Sequence, residues 1–461
     1  MIVSDQYKNQ TVVVFGLGKT GIITVKSLSK GGANVLAWDD NIEARRLAKK
    51  ERISLKNIYL IDWSRVKCLI LSPGVPLNFP KPHPVVLLAK KNQCQIIGDF
   101  ELFQHQISRK KHLNLSFVGI TGTNGKSTTC ALIHHILKKE NRDVYLGGNF
   151  GNPILELDTF QKNRIYVAEI SSFQIETTPN LKPNIAVHLN IANSHLDRHK
   201  NLLRYSKIKS KIFSKQEKND LSIVVANDKY SKKIFKKILK TNNTVVIANK
   251  KIFHTGYFYN KKEIIQIKKN KILKKVSISN IRGVDNLENF IVAMVVSTHL
   301  GISDKKIFSA LDSFKSLKHR LEFFRKYKNI SFINDSKATN IHATSRALAS
   351  LNNIFWIVGG KSQNEDIAKL KPYFKKVLRA YLIGETKKEF EQKINNECRC
   401  IKTNNLNNAV KLAIKDSLKF GNGNCCILLS PACPSYDQFK NFEERGNCFK
   451  KYIKNYLSQI Q

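Results

Sequence analysis

The sequence lacks long apolar stretches. A membrane-spanning helix needs about 20 consecutive apolar residues, and the segment 290–296 is much shorter and predicts a core helix. Residues 1–18 show no charged-then-apolar leader that ends in small residues, and they run directly into a strand and a glycine turn. We therefore expect a mature, cytoplasmic protein with no membrane partner.

Paired cysteines are also scarce. The nine cysteines are scattered singly, except for Cys398 with Cys400 and Cys425 with Cys426, and none forms a CxxC pair with zinc spacing. We expect mostly buried, reduced thiols.

Acidic residues are few. The 35 Asp and Glu stand against 78 Lys and Arg, which gives a net charge of +43. Lysine accounts for most of this excess. Asn and Ile are abundant as well, and a joint enrichment in Lys, Asn and Ile is consistent with a bias in the nucleotide composition of the coding sequence. The densest runs, 232–240 and 261–275, lack the interleaved aromatic residues of a groove for single-stranded nucleic acid. We predict solvated basic surfaces that attract small anionic substrates, and no nucleic-acid partner.

The remaining composition is that of a globular protein. The chain has 461 residues, is 42% hydrophobic and contains 25 Phe and three Trp. Its length predicts about three domains. Internal repeats and low-complexity segments are not evident apart from the lysine bias.

The segment 115–129, LSFVGITGTNGKSTT, is the most informative stretch. It predicts a short apolar strand, a glycine turn and an amphipathic helix that begins at Lys126. Glycines allow backbone N–H groups to surround a phosphate, the helix N-terminus adds partial positive charge, Lys126 reaches the outer phosphates, and Ser127 holds Mg²⁺. A strict P-loop has glycine where this chain has Ile120, but the strand–GKST–helix context indicates nucleotide-phosphate binding.

A second glycine motif lies near the N-terminus. Residues 11–21, TVVVFGLGKTG, predict a strand that enters GxGxxG, and the next strand ends at Asp39 and Asp40, where a dinucleotide-binding unit has its ribose-binding acid. An NAD-dependent dehydrogenase is the alternative, but it requires a substrate domain with a catalytic His or Arg. Because a second nucleotide loop follows instead, we predict that 1–107 is a Rossmann-like domain for a nucleotide-bearing substrate. The turn 72–76, SPGVP, follows another strand of this domain.

Four further residues of the central region are candidate site residues. Glu169 lies near the end of an apolar strand, where a carboxylate is costly unless it is paired or binds metal, so it is a Mg²⁺-ligand candidate. His195 and His199 are four residues apart, and a zinc pair is the alternative there. Lys209 lies on the apolar side of a predicted helix. Residues 221–247 are predicted to alternate short strands with lysine-rich turns.

The C-terminal third, from 317 onward, predicts strands that alternate with helices, with polar residues just after each strand. This pattern indicates an open parallel sheet with its site at the carboxyl edge. The residues thus predict an ATP-using α/β protein of three domains: a Rossmann-like N-terminal domain (1–107), a central P-loop domain (108–316) and a Rossmann-like C-terminal domain (317–461).

Six blocks in order along the chain make a resemblance specific. They are GITGTNGKSTT, SSFQIE, NSHLDRH, LKHRLE, NDSKATN and LLSPACPSYDQFKNFEERG. Together they resemble the Mur ligases over nearly the whole chain, and the last two are similar to the branch of that family that adds D-glutamate. The resemblance implies that ATP phosphorylates the alanyl carboxylate of UDP-N-acetylmuramoyl-L-alanine and that D-glutamate then attacks the acyl phosphate, in cytoplasmic peptidoglycan precursor synthesis. It also implies ATP and two Mg²⁺ ions as cofactors, and we expect a monomer.

The resemblance also implies roles for individual residues. Those for catalysis are Lys126, Glu169, His195 and Lys209. The residues expected to bind metal are Ser127, Glu169, His195 and, once carbamylated, Lys209. Those for ATP are Gly122, Thr123, Asn124, Gly125, Lys126, Ser127, Thr128, Asn286, Asn289, Arg320 and Asp335. Those for the UDP-substrate are Lys19, Thr20, Asp39, Asp40, Ser72, Gly74, Asn149 and Ser171. Those for D-glutamate are Lys337, Thr339, Lys361, Ser435 and Phe442.

Two positions depart from the family pattern. Asp285 stands where the family usually has His, and Gln363 stands where it usually has a lysine that binds glutamate. Lys361 is the candidate substitute for that lysine. The competing functions are another Mur ligase or a folylpolyglutamate synthase, a basic nucleic-acid-binding NTPase, and the NAD-dependent dehydrogenase. The block 430–446 argues against another Mur ligase and against a folylpolyglutamate synthase.

Overall fold

The structure, a computed structural model, describes most of the chain. The described residues are 1–240, 243–249, 255–260, 262–268, 271–277, 287–314, 317–362, 366–395, 397–421 and 423–460. The chain forms two compact units, Met1–Phe314 and Lys315–Gln461, and each is described by itself. The first unit includes both the segment 1–107 and the P-loop segment, so the boundary at 107 stays a prediction.

The first unit begins with a four-stranded sheet and its helices. These elements are β1 (Thr11–Phe15), α1 (Lys19–Lys30), β2 (Asn34–Trp38), α2 (Ile42–Lys50), β3 (Val66–Leu71), α3 (Pro84–Lys91), β4 (Gln95–Ile97) and α4 (Asp99–Ser108). The strands are parallel in the order β2-β1-β3-β4. Val12 and Val14 pack into one apolar cluster and Val13 and Phe15 into another. Alternate side chains of β1 therefore bury on both faces of the sheet, which explains its unbroken apolar sequence.

The rest of the first unit surrounds a nine-stranded sheet. Its elements are β5 (Ser116–Thr121), α5 (Lys126–Lys139), β6 (Val144–Gly148), β7 (Ile165–Glu169), α6 (Ser172–Glu176), β8 (Ile185–His188), α7 (Leu196–His199), α8 (Leu202–Ser210), β9 (Leu221–Val225), α9 (Lys229–Ile238), β10 (Asn243–Ala248), β11 (Gly256–Tyr259), β12 (Glu263–Lys268), β13 (Lys271–Ser277), α10 (Leu287–His299) and α11 (Asp304–Asp312). The strand order is β13-β12-β11-β10-β9-β8-β5-β7-β6. Strands β5 to β11 are parallel, whereas β12 and β13 are antiparallel additions at one edge. The nucleotide loop therefore follows a central strand, β5, whose neighbours are β7 and β8.

Helix α9 corrects the prediction for 221–247. That stretch was expected to alternate strands with lysine-rich turns, but the lysine-rich part is helical. Ile234 and Ile238, four residues apart, are buried, and the intervening lysines are exposed. The apolar spacing of an amphipathic helix was present in the sequence but was obscured by the high lysine content.

The second unit contains a six-stranded sheet. Its elements are β14 (Glu322–Tyr327), β15 (Ile330–Asn334), α12 (Ile341–Ser350), β16 (Ile354–Gly359), β17 (Val377–Ile383), α13 (Lys387–Ile394), β18 (Cys400–Lys402), α14 (Leu406–Lys419), β19 (Cys425–Leu429) and α15 (Phe442–Ile460). The order is β14-β15-β19-β16-β17-β18, and every neighbour is parallel except β14. The fully parallel sheet predicted here is wrong at this edge. Tyr327 pairs with Ile330 across a two-residue turn, and such a short connection joins only antiparallel strands.

Short 3-10 segments complete the described structure. They are Ile58–Leu60, Trp63–Arg65, Lys111–Leu113, Ile154–Glu156, Lys211–Phe213 and Ile367–Lys376. Within the described ranges, the helices are too short or too polar to cross a membrane. None of the nine cysteines, all of which are described, forms a disulfide, and all except Cys400 and Cys448 are buried, as predicted.

Candidate active site

The glycine loop after β5 needs its glycines. Gly122 has a φ of 152° and Gly125 a φ of 86°, both in the left-handed range that disfavours other residues. A Cβ atom on Gly125 would lie 2.5 Å from Asn289 Oδ1, and one on Gly122 would lie 2.9 Å from Leu189 Cβ. The predicted strand, loop and helix form here, and the loop packs directly against the predicted ATP residue Asn289 of α10.

Three hydrogen bonds connect the loop to Asn190, which follows β8. The Thr123 N–H donates to Asn190 O, and the Asn124 N–H donates to Asn190 Oδ1, each at 2.9 Å. Asn190 Nδ2 donates in return to Asn124 O at 3.1 Å. Asn190 belongs to no motif that marks it for this role in the sequence; its position just after the strand next to β5 was the available signal.

Lys126 bends back over the loop that precedes it. Its Nζ atom donates to the carbonyl oxygens of Gly122 (3.0 Å) and Thr123 (2.9 Å). The ammonium group therefore lies above the turn, where positive charge would meet a bound phosphate. Thr128 follows Ser127 in the first turn of α5.

The predicted metal residues Ser127 and Glu169 meet at this loop. Ser127 Oγ donates a hydrogen bond to Glu169 Oε2, and Asn149 Nδ2 donates to Glu169 Oε1 at 2.8 Å. Glu169 is buried at the end of β7, and Ser127 is buried in the first turn of α5. A hydroxyl and a carboxylate are oxygen ligands of the kind that Mg²⁺ prefers.

Lys209 is fully buried beside the loop, 1% exposed. Its Nζ atom donates to Gly122 O at 2.8 Å and to Thr121 Oγ1 at 3.3 Å, and it lies 4.7 Å from the ring centroid of Tyr205. Burial, and secondly the charge of Lys126, lower the pKa of Lys209 well below its usual range, while Glu169 opposes this shift. The amine is therefore far easier to deprotonate than a surface lysine.

The two histidines of the zinc alternative surround Phe173. The ring of His199 stacks on Phe173 (5.1 Å between centroids, 16° between planes), and the ring of His195 meets it edge-on at 5.1 Å. His199 Nε2 bonds Ser172 Oγ at 2.8 Å, so this nitrogen already has a protein partner. Burial lowers the pKa of His199 to about 3. Within the described ranges, no three His, Cys, Asp or Glu side chains are grouped as a metal site.

His195, the other candidate ligand, has a left-handed backbone with a φ of 55°. His195 keeps more than a third of its surface exposed, yet desolvation by the surrounding protein, and secondly the nearby charges of Lys126 and Lys209, lower its pKa. Metal ligation requires a neutral imidazole, so these surroundings favour the form that a metal binds.

The predicted UDP-substrate residues surround the ends of β1, β2 and β3. Asp39 accepts hydrogen bonds from the backbone N–H groups of Leu17 (2.7 Å) and Asn41 (2.8 Å). Asp40 accepts from Tyr59 OH at 2.9 Å and Trp38 Nε1 at 3.2 Å. Both carboxylates thus have protein partners, and Asp39 shapes the glycine turn that precedes α1.

The other residues of that group lie on the same side of the first sheet or on the central sheet. Lys19 Nζ donates to Asn152 Oδ1 at 3.1 Å, and Thr20 follows it in α1. Ser72 Oγ donates to Gly16 O at 2.6 Å. Ser171 caps α6 by accepting from the N–H of Gln174.

In the second unit, loops after β15, β16 and β19 come together. Asp335 accepts hydrogen bonds from the Leu321 N–H (3.1 Å) and Ser430 Oγ (2.8 Å). The Lys361 N–H donates to Pro434 O at 3.0 Å. The carboxyl ends of parallel strands converge at one edge, as predicted for this sheet.

The predicted D-glutamate residues lie along these loops. Lys337 Nζ is 3.6 Å from the ring centroid of Phe442, and the Thr339 N–H donates to Lys337 O at 2.8 Å. Ser435 is buried and accepts at its carbonyl from the Phe439 N–H. Arg320, a predicted ATP residue, directly follows His319, whose backbone has a left-handed conformation.

Arg445 is a residue of this region that the sequence analysis did not single out. It is buried, and its guanidinium donates to Ser336 Oγ (3.0 Å), Ser336 O (2.9 Å) and Cys433 O (3.0 Å). It therefore links the loop after β15 to the loop after β19. An arginine among the polar residues of a helix gave no local signal of burial.

Asn286, Asp285 and Gln363 lie outside the described residues.

Comparisons with known proteins agree with this architecture. The profile of the Mur ligase middle domain matches residues 120–297, and that of the Mur ligase glutamate ligase domain matches 319–433. The UDP-N-acetylmuramoylalanine--D-glutamate ligase of Bartonella henselae is 38% identical, with 97% of each chain covered. That of Brucella abortus is 39% identical, with 98% of this chain and 97% of the relative covered.

Solved structures share the fold. The UDP-N-acetylmuramate-alanine ligase of Thermotoga maritima superposes with a TM-score of 0.60 at 17% identity, covering 98% of this chain and 99% of the other. A MurF ligase of Thermotoga maritima in complex with ADP gives a TM-score of 0.59 at 17% identity, covering 99% and 98%. Given the near-complete match at 38–39% identity, this chain belongs to the Mur ligase family, among its UDP-N-acetylmuramoylalanine–D-glutamate ligases.

Proposed function

We propose that this protein joins D-glutamate to UDP-N-acetylmuramoyl-L-alanine at the expense of ATP, in the synthesis of peptidoglycan precursors. The observation that carries the proposal is the nucleotide loop, with Lys126 above it and the buried Ser127–Glu169 pair beside it. The choice of substrates is supported by relatives that match nearly the whole chain and bear that name.

The reaction has two steps. An alanyl carboxylate oxygen attacks the γ-phosphorus of ATP, the bond from that phosphorus to the bridging oxygen breaks, and ADP leaves. The amine nitrogen of D-glutamate then attacks the carbonyl carbon of the acyl phosphate and loses a proton, and inorganic phosphate leaves. Such transfers depend on positioning and on neutralising phosphate charge. Lys126 and the N-terminal end of α5 would supply both at the loop, because the N–H groups of Thr123 and Asn124 already donate to Asn190.

The donor set beside the loop fits Mg²⁺. Glu169 is buried with one oxygen on Ser127 and the other on Asn149, and these residues would hold a first ion together with phosphate and water. His195, with its lowered pKa, would contribute to a second ion. When bound, Mg²⁺ neutralises charge on the transferred phosphoryl group.

Lys209 is proposed to be carbamylated. A neutral amine adds to CO₂, and burial favours the neutral form of this lysine. The product would be an anion next to the Lys126 ammonium group, with which the neutral amine of Lys209 cannot form an ion pair.

The remaining assignments extend the proposal along the chain. Residues at the ends of β1 to β3, with Asn149 and Ser171, would bind the UDP-substrate, and the loops around Lys337, Lys361 and Ser435 would bind D-glutamate. Arg320, Asp335, Asn289 and Asn286 would contact ATP. We also propose a cytoplasmic monomer of three domains, with boundaries near 107 and 316 and without a nucleic-acid partner.

The test is phosphate release from ATP with Mg²⁺ and UDP-N-acetylmuramoyl-L-alanine. D-Glu, L-Glu, L-Lys and diaminopimelate are offered separately, and the product is identified by mass. We expect release with D-Glu alone, accompanied by the dipeptide product. Release with a different amino acid would overturn the specificity, and ATP hydrolysis stimulated by DNA or RNA would favour the nucleic-acid-dependent alternative.

Carbamylation has a separate test. In ¹³C-bicarbonate, the wild type should give a carbamate carbon signal in the NMR spectrum that Lys209→Met lacks. Lys207→Met is the control, because Lys207 is an exposed lysine on the same helix. A spectrum without a signal that depends on Lys209 would contradict the proposal.

A further inference from the structure

Arg198 connects two parts of the first unit that are far apart in sequence. Its Nη1 atom donates to Gly74 O at 2.9 Å and its Nη2 atom to Val75 O at 3.0 Å, across a sequence separation of more than 120 residues. The guanidinium carbon lies 4.5 Å from the ring centroid of Phe173. One planar group thus satisfies two successive backbone carbonyls and stacks on an aromatic ring, a combination that lysine cannot reproduce.

The Gly74–Val75 turn is held from its other side as well. Ser72 Oγ donates to Gly16 O at 2.6 Å, and the Val75 N–H donates to Ser72 O at 3.0 Å. Further along, Asn78 Nδ2 donates to Glu176 Oε1 at 2.9 Å, three residues beyond Phe173 on α6. The turn after β3 is therefore fixed between the glycine loop of the first sheet and helix α6 of the central sheet.

Phe173 lies between this turn and the candidate metal residues Glu169 and His195. The same ring contacts His195 and His199, and α6 begins three residues after Glu169. Arg198 lies three residues after His195, and its backbone N–H donates to His195 O at 3.0 Å. The segment 195–199 thus bonds to the substrate turn through Arg198, and His195 of the same segment contacts the same aromatic ring.

We propose that Arg198 is a positioning residue that holds the 72–76 turn in the conformation that binds the sugar-nucleotide substrate. The inference rests on the proposed function, because it assigns that turn to the UDP-substrate. Without the guanidinium, the carbonyls of Gly74 and Val75 lose their charged donor, and the turn loses its link to Phe173 of α6, so that only the Asn78–Glu176 hydrogen bond still connects this segment to that helix. The ATP loop is held separately by Asn190, so nucleotide affinity should not depend on Arg198.

The chain offers a matched control in Arg204. Its Nη2 atom lies 3.8 Å from Glu176 Oε1, so it also faces α6, but this ion pair is long and the arginine side chain is 40% exposed. We expect Arg198→Ala to raise the KM for UDP-N-acetylmuramoyl-L-alanine at least about tenfold, as the loss of charge-assisted hydrogen bonds predicts. The KM for ATP should stay within about twofold, Arg198→Lys should be intermediate and Arg204→Ala should match the wild type.

A second measurement does not depend on turnover. Hydrogen exchange of the peptide 72–79 should be faster in Arg198→Ala and Arg198→Lys than in Arg204→Ala, while exchange of 122–130 stays unchanged. If the alanine variant does not fold, the lysine variant answers both questions. An unchanged substrate KM in active variants, or unchanged exchange at 72–79, overturns the inference. A wild type that shows turn protection but no D-Glu ligation would instead overturn the proposed function.

Discussion

Ser127 Oγ donates a hydrogen bond to Glu169 Oε2, which ties the first turn of α5 to the end of β7. The two residues are 42 positions apart in sequence and meet because β5 and β7 are parallel neighbours. Asn149 completes the arrangement from the end of β6, the next strand. Two adjacent strand ends and the first turn of α5 thus bring one carboxylate, one amide and one hydroxyl to the same point beside the nucleotide loop.

The first prediction concerns the charge of Glu169. Glu169→Gln keeps the size of the side chain and its bond to Ser127 but removes the negative charge that a metal requires. We expect kcat to fall about 100-fold or more, comparable to the loss of one charge-stabilising group in an active site. Raising the Mg²⁺ concentration should recover part of the activity.

The control for this change is Asp158→Asn. Asp158 accepts from Tyr145 OH at 2.7 Å beside β6, and its side chain plays no part in the proposed site. It should leave kcat within about twofold. Equal activity of Glu169→Gln and the wild type at every Mg²⁺ concentration would remove Glu169 from the metal site.

Much of this arrangement was predictable because its signals are local. The strand, loop and helix around Lys126 are encoded in one short segment, and the cost of burying Glu169 in an apolar strand is visible in five residues. The sheet order is non-local. The antiparallel pairing of β14 and the contacts of Asn190 and Arg198 arise from residues that the fold brings together across long sequence separations. Helix α9 was missed for a different reason, since lysine at most surface positions obscures the apolar period.

The second prediction tests the shape of the nucleotide loop. Gly125→Ala places a methyl group 2.5 Å from Asn289 Oδ1 at a φ of 86°. Gly301→Ala is the matched control, because Gly301 has a φ of 85° but its Cβ would meet only Arg142 at an ordinary 3.5 Å. Both variants should lose about 1 kcal/mol of unfolding free energy to backbone strain.

The two glycine variants should differ in nucleotide binding. Gly125→Ala displaces Asn289 and the loop, so we expect at least about a tenfold rise in the Kd for ATP, measured by calorimetry, whereas Gly301→Ala should bind normally. Equal affinities for both variants would mean that the loop tolerates a Cβ at this position.

The third prediction concerns the departure from the family pattern at 361–363. Lys361 is exposed, and its backbone is anchored to Pro434, one residue before Ser435. Its ammonium group is therefore available for a carboxylate of D-glutamate. Lys361→Ala should raise the KM for D-glutamate at least about tenfold and leave that for ATP within about twofold. Lys369→Ala, another exposed lysine of the second unit, is the control, and an unchanged D-glutamate KM would refute the substitution of Lys361 for the usual lysine.

The fourth prediction follows from His188, which lies at the end of β8. The side chain is fully buried, Nε2 bonds Ser231 Oγ at 2.9 Å, and Nδ1 has no hydrogen-bond partner among the described residues. Burial, then the charge of Lys209, lower its pKa to about 3, while Asp228, which accepts from Ser231, opposes the shift. The unfolded chain should titrate near the ordinary value of about 6.5.

The sign of the pH effect follows from these two values. Between pH 3 and 6.5 the unfolded state binds the proton and the folded state does not, so acidification favours unfolding and stability rises with pH across this window. Between pH 7.5 and 5.0 this single group should cost about 2 kcal/mol of unfolding free energy. Urea unfolding at the two pH values measures this loss of unfolding free energy. The loss should be smaller in His188→Gln than in the wild type by about that amount, even if the variant is less stable at both pH values. His112→Gln changes an exposed surface histidine, and it should lose as much unfolding free energy between the two pH values as the wild type does. Identical losses in His188→Gln and the wild type would mean that His188 already carries its proton in the fold, which would require a partner for Nδ1.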